Sequence, residues 1–103
     1  MKGIVWAYDR KSGIEKLREI LLEYKTIGID IQDFSRNPAR PWVSLQNSDI
    51  WEIVSPSETA RGKRANVSYV DGRIPKQVVN GIIRPATLLR PYQAITYYNG
   101  YTK

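Results

Sequence analysis

The run Gly3-Ile4-Val5-Trp6-Ala7-Tyr8 is apolar and rich in β-forming residues, and a helical pattern follows it almost at once. A buried strand feeding directly into an amphipathic helix leaves few architectures open to a chain of 103 residues. Asp9-Arg10-Lys11 turns the chain. Ser12, with Glu15 three residues on, has capping-box spacing and predicts the helix start. Ile14, Leu17, Leu21 and Tyr24 then share one helical face, widened by Ile20 and Leu22, while Lys16, Arg18, Glu19 and Glu23 lie largely off it. Gly28 supplies the stop, so the predicted helix covers residues 12–28.

Ile29 and Ile31 alternate with Asp30 and Gln32 as in a short exposed strand, and residues 34–41, rich in Ser, Asn, Arg and Pro, read as a loop. Trp42-Val43-Ser44-Leu45 and Ile50-Trp51-Glu52-Ile53-Val54, separated by Gln46-Asn47-Ser48-Asp49, predict a hairpin. Trp42 and Trp51 are expected near each other across it, as core or cross-strand partners rather than a base-stacking platform. Residues 55–65 form a polar, basic loop, and residues 66–71 a further strand. From there the local signals conflict. Asp71-Gly72, Asn80-Gly81 and Asn99-Gly100 favour hairpin turns and would fold residues 67–84 into a β-meander. Residues 76–84 suit equally a short helix entered through Pro75 that buries Val78, Val79 and Ile82. Ala94-Ile95-Thr96-Tyr97-Tyr98 reads as the last strand.

The sequence has neither cysteine nor histidine, which removes disulfides, thiolate and imidazole metal sites, cysteine nucleophiles and the Ser-His-Asp triad. A single domain is expected over residues 1–103. No apolar run approaches the ~18 residues of a membrane span, and the first ten residues lack the apolar stretch of a secretory signal. A cytoplasmic protein without a membrane partner is therefore expected. Charge is divided unevenly. Residues 1–52 balance eight basic against eight acidic side chains, whereas residues 53–103 set eight basic ones against Glu58 and Asp71 alone and carry the whole net charge of +6. Such an excess favours a polyanionic partner, nucleic acid first.

The loop Ser57-Glu58-Thr59-Ala60-Arg61-Gly62-Lys63-Arg64 contains Gly-Lys after a strand, but a phosphate cradle needs glycine where Ser57 stands and a hydroxyl where Arg64 stands. Arg61, Lys63 and Arg64 remain the densest basic cluster and are the candidate nucleic-acid-binding residues, through sequence-blind phosphate contacts. Their competing readings are a solvated loop, or side chains folded inward on Glu58 or Asp71. Tyr97, Tyr98 and Tyr101 have faces on which bases could stack, yet an amphipathic edge strand accounts for them better. Paired carboxylates for acid–base work are not evident, and no catalytic residue is assigned.

Residues 50–71, with Ala60-Arg61-Gly62-Lys63-Arg64-Ala65-Asn66 leading into Val67-Ser68-Tyr69-Val70-Asp71, resemble the middle of the ATPase core of bacteriophage large terminase subunits. The resemblance implies that strands at residues 4–8, 67–71 and 94–98 share one sheet, the first two parallel, with a short helix following Asp71. It places Asp71 at the Walker B magnesium position, and Arg61 and Arg64 at the arginines of the family's loop. The departures are as informative. These residues supply no P-loop and no nuclease domain, Gly72 stands where the family has its catalytic glutamate, and the coupling motif is not clear in Tyr97-Tyr98-Asn99-Gly100. Asp71 is thus a vestigial metal position, and Mg²⁺ and ATP enter only if another chain completes the site.

The expected fold is α/β, a small, mainly parallel sheet with a hairpin insertion and one main flanking helix; the alternative is a β-rich α+β domain. The expected function is that of a non-catalytic viral protein, related to the terminase ATPase core and acting in the host cytoplasm on DNA packaging, with a viral or host protein and nucleic acid as partners. The alternative is a small basic nucleic-acid-binding or virion protein of convergent likeness.

Overall fold

The computed structural model describes residues 1–57, 60, 62–87 and 94–99. Strand β1 (Lys2–Trp6) lies inside a six-stranded sheet of order β2-β3-β4-β1-β5-β6, where β2 is Ile31–Phe34, β3 Trp42–Leu45, β4 Ile50–Val54, β5 Val67–Asp71 and β6 Ile95–Tyr98. β1 runs parallel to both neighbours, pairing Ile4 with Glu52 on one side and with Ser68 on the other. β5 and β6 are also parallel, while β2, β3 and β4 form an antiparallel meander. The fold is a mostly parallel α/β sheet, as expected, with residues near 4–8, 67–71 and 94–98 in one sheet.

A strand paired on both edges must have both faces covered, and the alternation of β1 divides it cleanly. Val5 faces helix α1 (Arg10–Thr26) and packs with Leu17, Ile20, Val43, Leu45 and Trp51. Ile4 and Trp6 face the other way, onto Val70, Ile74, Val79, Ile82 and Ile83. That second layer is helical, with α2 (Lys76–Val78), a π-helical turn (Val79–Ile83) and α3 (Arg84–Ala86) running continuously. The β-meander reading of residues 67–84 is therefore overturned. Asp71-Gly72 does not close a hairpin, since the Gly72 N–H donates to Tyr98 O at 2.8 Å and β6 takes the place beside β5. Asn80-Gly81 lies inside the π-helical turn, where burial of Val79, Ile82 and Ile83 outweighs local turn preference. The Asn99-Gly100 turn lies partly outside the described residues.

Helix α1 begins two residues before the expected Ser12. Asp9 is the N-cap, its Oδ1 accepting the Ser12 N–H at 2.8 Å. The helix stops as expected at Gly28, whose φ of 82° allows Gly28 N–H to reach Lys25 O and Ile29 N–H to reach Tyr24 O. The hairpin forms, but Val43, not Trp42, lies opposite Trp51. Strand alternation puts Trp42 on the face away from Trp51, so the two are not cross-strand partners.

A buried polar relay ties the helical layer to the sheet. The Trp6 indole N–H donates to Ser68 Oγ at 3.0 Å, the Ser68 hydroxyl meets Thr87 Oγ1 at 2.8 Å, and Thr87 Oγ1 donates to Ile83 O at 2.9 Å. Because the indole can only donate and the Thr87 hydroxyl spends its one proton on Ile83 O, Ser68 accepts from Trp6 and donates to Thr87. Among the described residues, no helix is long and apolar enough to cross a membrane.

The tightest packing is at Gly3, directly opposite Trp51 in the β1–β4 register. A Cβ there would lie 2.3 Å from the Trp51 ring, which is itself buried and cannot swing away. Gly3→Ala is expected to destabilise the fold by about 1–3 kcal/mol through overpacking, read as a lowered midpoint in urea at unchanged slope.

Candidate functional site

In open α/β sheets, functional groups gather beyond the carboxyl ends of the strands, where successive connections depart to opposite sides. Here that point lies between β1 and β5. The chain leaves β1 through α1 toward β4, and leaves β5 through the helical layer toward β6. The residues just past these strand ends are Tyr8 and Asp9 after β1, Asp71 and Arg73 at and after β5, and Asn99 after β6, with Ser12 reaching in from the first turn of α1.

Asp71 has no exposed surface. Its Oδ1 accepts the Arg73 backbone N–H at 2.9 Å and Arg73 Nε at 3.0 Å, and its Oδ2 accepts Arg73 Nη2 at 2.8 Å and Asn99 Nδ2 at 3.3 Å. The guanidinium thus grips the carboxylate in a two-pronged fork. Arg73 Nη2 also donates to Ser12 Oγ at 2.8 Å and pairs with Asp9 Oδ2 at 3.1 Å, while the guanidinium plane sits 4.6 Å from the centre of the Tyr8 ring. Asn99 Nδ2 reaches Ser12 Oγ at 3.0 Å. One cation is therefore shared by two carboxylates, a serine and an aromatic face drawn from two separate stretches of chain, and Asn99 adds a third stretch through Asp71 and Ser12.

The electrostatics follow from that arrangement. Burial alone would raise the Asp71 pKa, but the hydrogen bonds from the Arg73 side chain and backbone and from Asn99 outweigh it and hold the carboxyl below its usual range. The Ser12 backbone and side-chain hydrogen bonds, then Arg73, lower Asp9. Arg73 is pushed up, first by its hydrogen bonds to Asp71. Tyr98, whose hydroxyl donates to Trp6 O at 3.0 Å, is raised by burial and then by the Asp71 charge. Its phenol stays protonated, a structural strut.

The position that the resemblance reserves for magnesium is thus filled from within, both Asp71 oxygens being occupied by a side chain two residues away. Arg73 was not singled out in the sequence. The Asp71-x-Arg73 spacing, with the aspartate accepting the N–H two residues on, was its one local sign. Asp9, Ser12 and Asn99 join only through the parallel sheet.

The basic loop divides. Lys63 Nζ pairs with Glu52 of β4 at 3.2 Å, beside Lys2 at 3.5 Å, while the Lys63 side chain stays 41% exposed. Asp71, held by Arg73, is not its partner; Glu58 and Arg61 lie outside the described residues. Arg64 is exposed and, among the described residues, donates to Lys63 O at 3.0 Å. The packing reading holds for Tyr97, on the helical layer, and for Tyr98, against the α1 layer; Tyr101 lies outside the described residues. No protein-family model, curated protein or solved structure matches the chain.

Because the Asp71 pKa is lowered by folding, the stability linked to its ionisation is present above the unfolded carboxylate value of about 3.9 and is lost as pH falls through the lower folded value. Wild type should be more stable than Asp71→Asn near neutrality, and that difference should shrink steadily below about pH 4, as thermal melts across the acid range will read.

Proposed function

We propose that this chain is a non-catalytic relative of the terminase large-subunit ATPase core that acts in DNA packaging in the host cytoplasm through protein and DNA contacts. The observation that carries the reading is Arg73 on Asp71. The parallel arrangement β1-β5-β6, with an aspartate ending the middle strand, is the one the terminase resemblance implies. In that setting a guanidinium replaces the metal ion as the counter-charge of the aspartate.

The residues present do not fit a magnesium–nucleotide site. A metal at Asp71 would have to evict a cation held by two carboxylates and Ser12, and would find Gly72 where an activating glutamate is needed. The triphosphate would need a cradle from another chain. What remains for this chain is contact. Among the described residues of the basic loop Arg64 is the exposed cation, and Lys63 contributes less because it is paired with Glu52.

The purified chain should neither turn over nor bind ATP with Mg²⁺. It should bind duplex DNA with an affinity that falls steeply with salt. Arg64→Ala should flatten the log–log salt slope by roughly 0.7–0.9, whereas Lys63→Ala should leave it nearly unchanged. Magnesium-dependent ATP turnover abolished by Asp71→Ala would overturn the non-catalytic reading. DNA binding that is undetectable or indifferent to salt would remove nucleic acid as a direct partner.

A further inference from the structure

The far end of the molecule from Arg73 carries a different kind of surface. Between the second half of α1 and the β2–β3 edge lies an open groove of about 490 Å³, with Leu21, Ile29 and Leu45 inside it and Leu22 and Ile31 on its lips. A second hollow of about 330 Å³ adjoins it through Ile31 and is walled by Leu17, Phe34, Pro41 and Trp42. Leu22, Ile31 and Phe34 are 61%, 47% and 49% exposed. Three large apolar side chains thus stand about half exposed along two adjoining hollows, a surface that an apolar partner can cover.

The trough is also charged asymmetrically. Arg18 and Lys25 stand seven residues apart on the α1 wall, which puts them on one side of the helix about 10 Å apart. Neither makes an ion pair or side-chain hydrogen bond among the described residues. Asp30 lines the opposite wall and likewise has no charged partner. We propose that this trough docks an amphipathic helix of another protein, its apolar stripe laid beside residues 17–25 of α1 and its acidic flank facing Arg18 and Lys25.

The groove itself favours this occupant over two others. A second copy would set the same two cations to one anion against their own kind, within molecules that each carry +6. An added β-strand would have to pair with β2, whose ladder is only four residues long and irregular between Ile31 and Asp33, with Asp33 Oδ1 turned back onto the Phe34 N–H. Those are the features that block edge pairing. A helix needs no backbone partner, and grooves of this kind read its i, i+3/i+4 and i+7 side chains. The inference does not depend on the terminase reading or on DNA binding.

The test uses a fluorescein-labelled synthetic peptide of about 16 residues with a leucine stripe at helical spacing flanked by glutamates on one side. Its charge-reversed lysine analogue and a version with the stripe scrambled are the controls. The glutamate peptide should bind the full chain at least about tenfold more tightly than either control. Its amide chemical-shift changes should centre on Leu21, Leu22, Ile29 and Ile31. Ile31→Asp should abolish binding with its melting curve unchanged, since the side chain is half exposed. Arg18→Glu with Lys25→Glu should transfer the preference to the lysine peptide. Equal affinity for the glutamate and scrambled peptides, or binding that survives Ile31→Asp, would mean general charge attraction and overturn the proposal. Concentration-dependent dimerisation lost in Ile31→Asp would overturn it in favour of a second copy.

Discussion

A carboxylate withdrawn entirely from water must be neutralised or held by donors on every side, and Asp71 meets that demand with Arg73 and Asn99. The consequence spreads well past one ion pair. By engaging Asp9 and Ser12 as well, the same guanidinium fixes where α1 starts relative to the end of β5, and Asn99 draws in the end of β6. The carboxyl edge of the sheet is thus assembled around one planar cation. This edge is where such folds ordinarily leave room for a ligand, and here the protein has filled it with its own side chains.

How much of this could be read from residues alone depends on range. The strand at residues 3–8 and the helix after it were legible because their signals are local and periodic, and so was the β3–β4 hairpin. The helix start was misplaced by two residues because Asp9 and Ser12 both stand three before a plausible partner, and only the fold shows Ser12 committed to Arg73. The turn dipeptides misled because a parallel neighbour for β5 comes from more than twenty residues away and leaves no local mark. Asp71 came into view through a resemblance, while Arg73 did not, since its importance lies in a buried charge that no spacing rule reveals. The pairing of Lys63 with Glu52 was hidden because the two come from different elements.

The two ends of the molecule contrast in chemistry. Around Arg73 the polar groups of the described residues are matched to one another within the chain. Along α1 and β2 the apolar surface and its flanking Arg18, Lys25 and Asp30 are left unmatched among the described residues. The inside of the sheet is closed by glycines as much as by large side chains. Gly3 lets Trp51 lie flat on β1, and Gly13 brings α1 within contact of Ala7 and Ile53. These small residues keep α1 close enough to seal its face of the core while its outer lip stays open.

The burial of β1 on four sides has a kinetic meaning. Its neighbours join it through Lys2–Ile50 and Gly3–Val67, so every hydrogen bond along either edge closes a long loop. On the ribosome, the most apolar strand emerges before either partner exists, and only α1, made directly after it, can screen one face during the wait. Assembly is then paced by the search of β4 and β5 for β1, not by helix formation. The Ile4-Val5-Trp6 stretch is accordingly the segment most exposed to chaperones, and to misassociation, before the sheet closes.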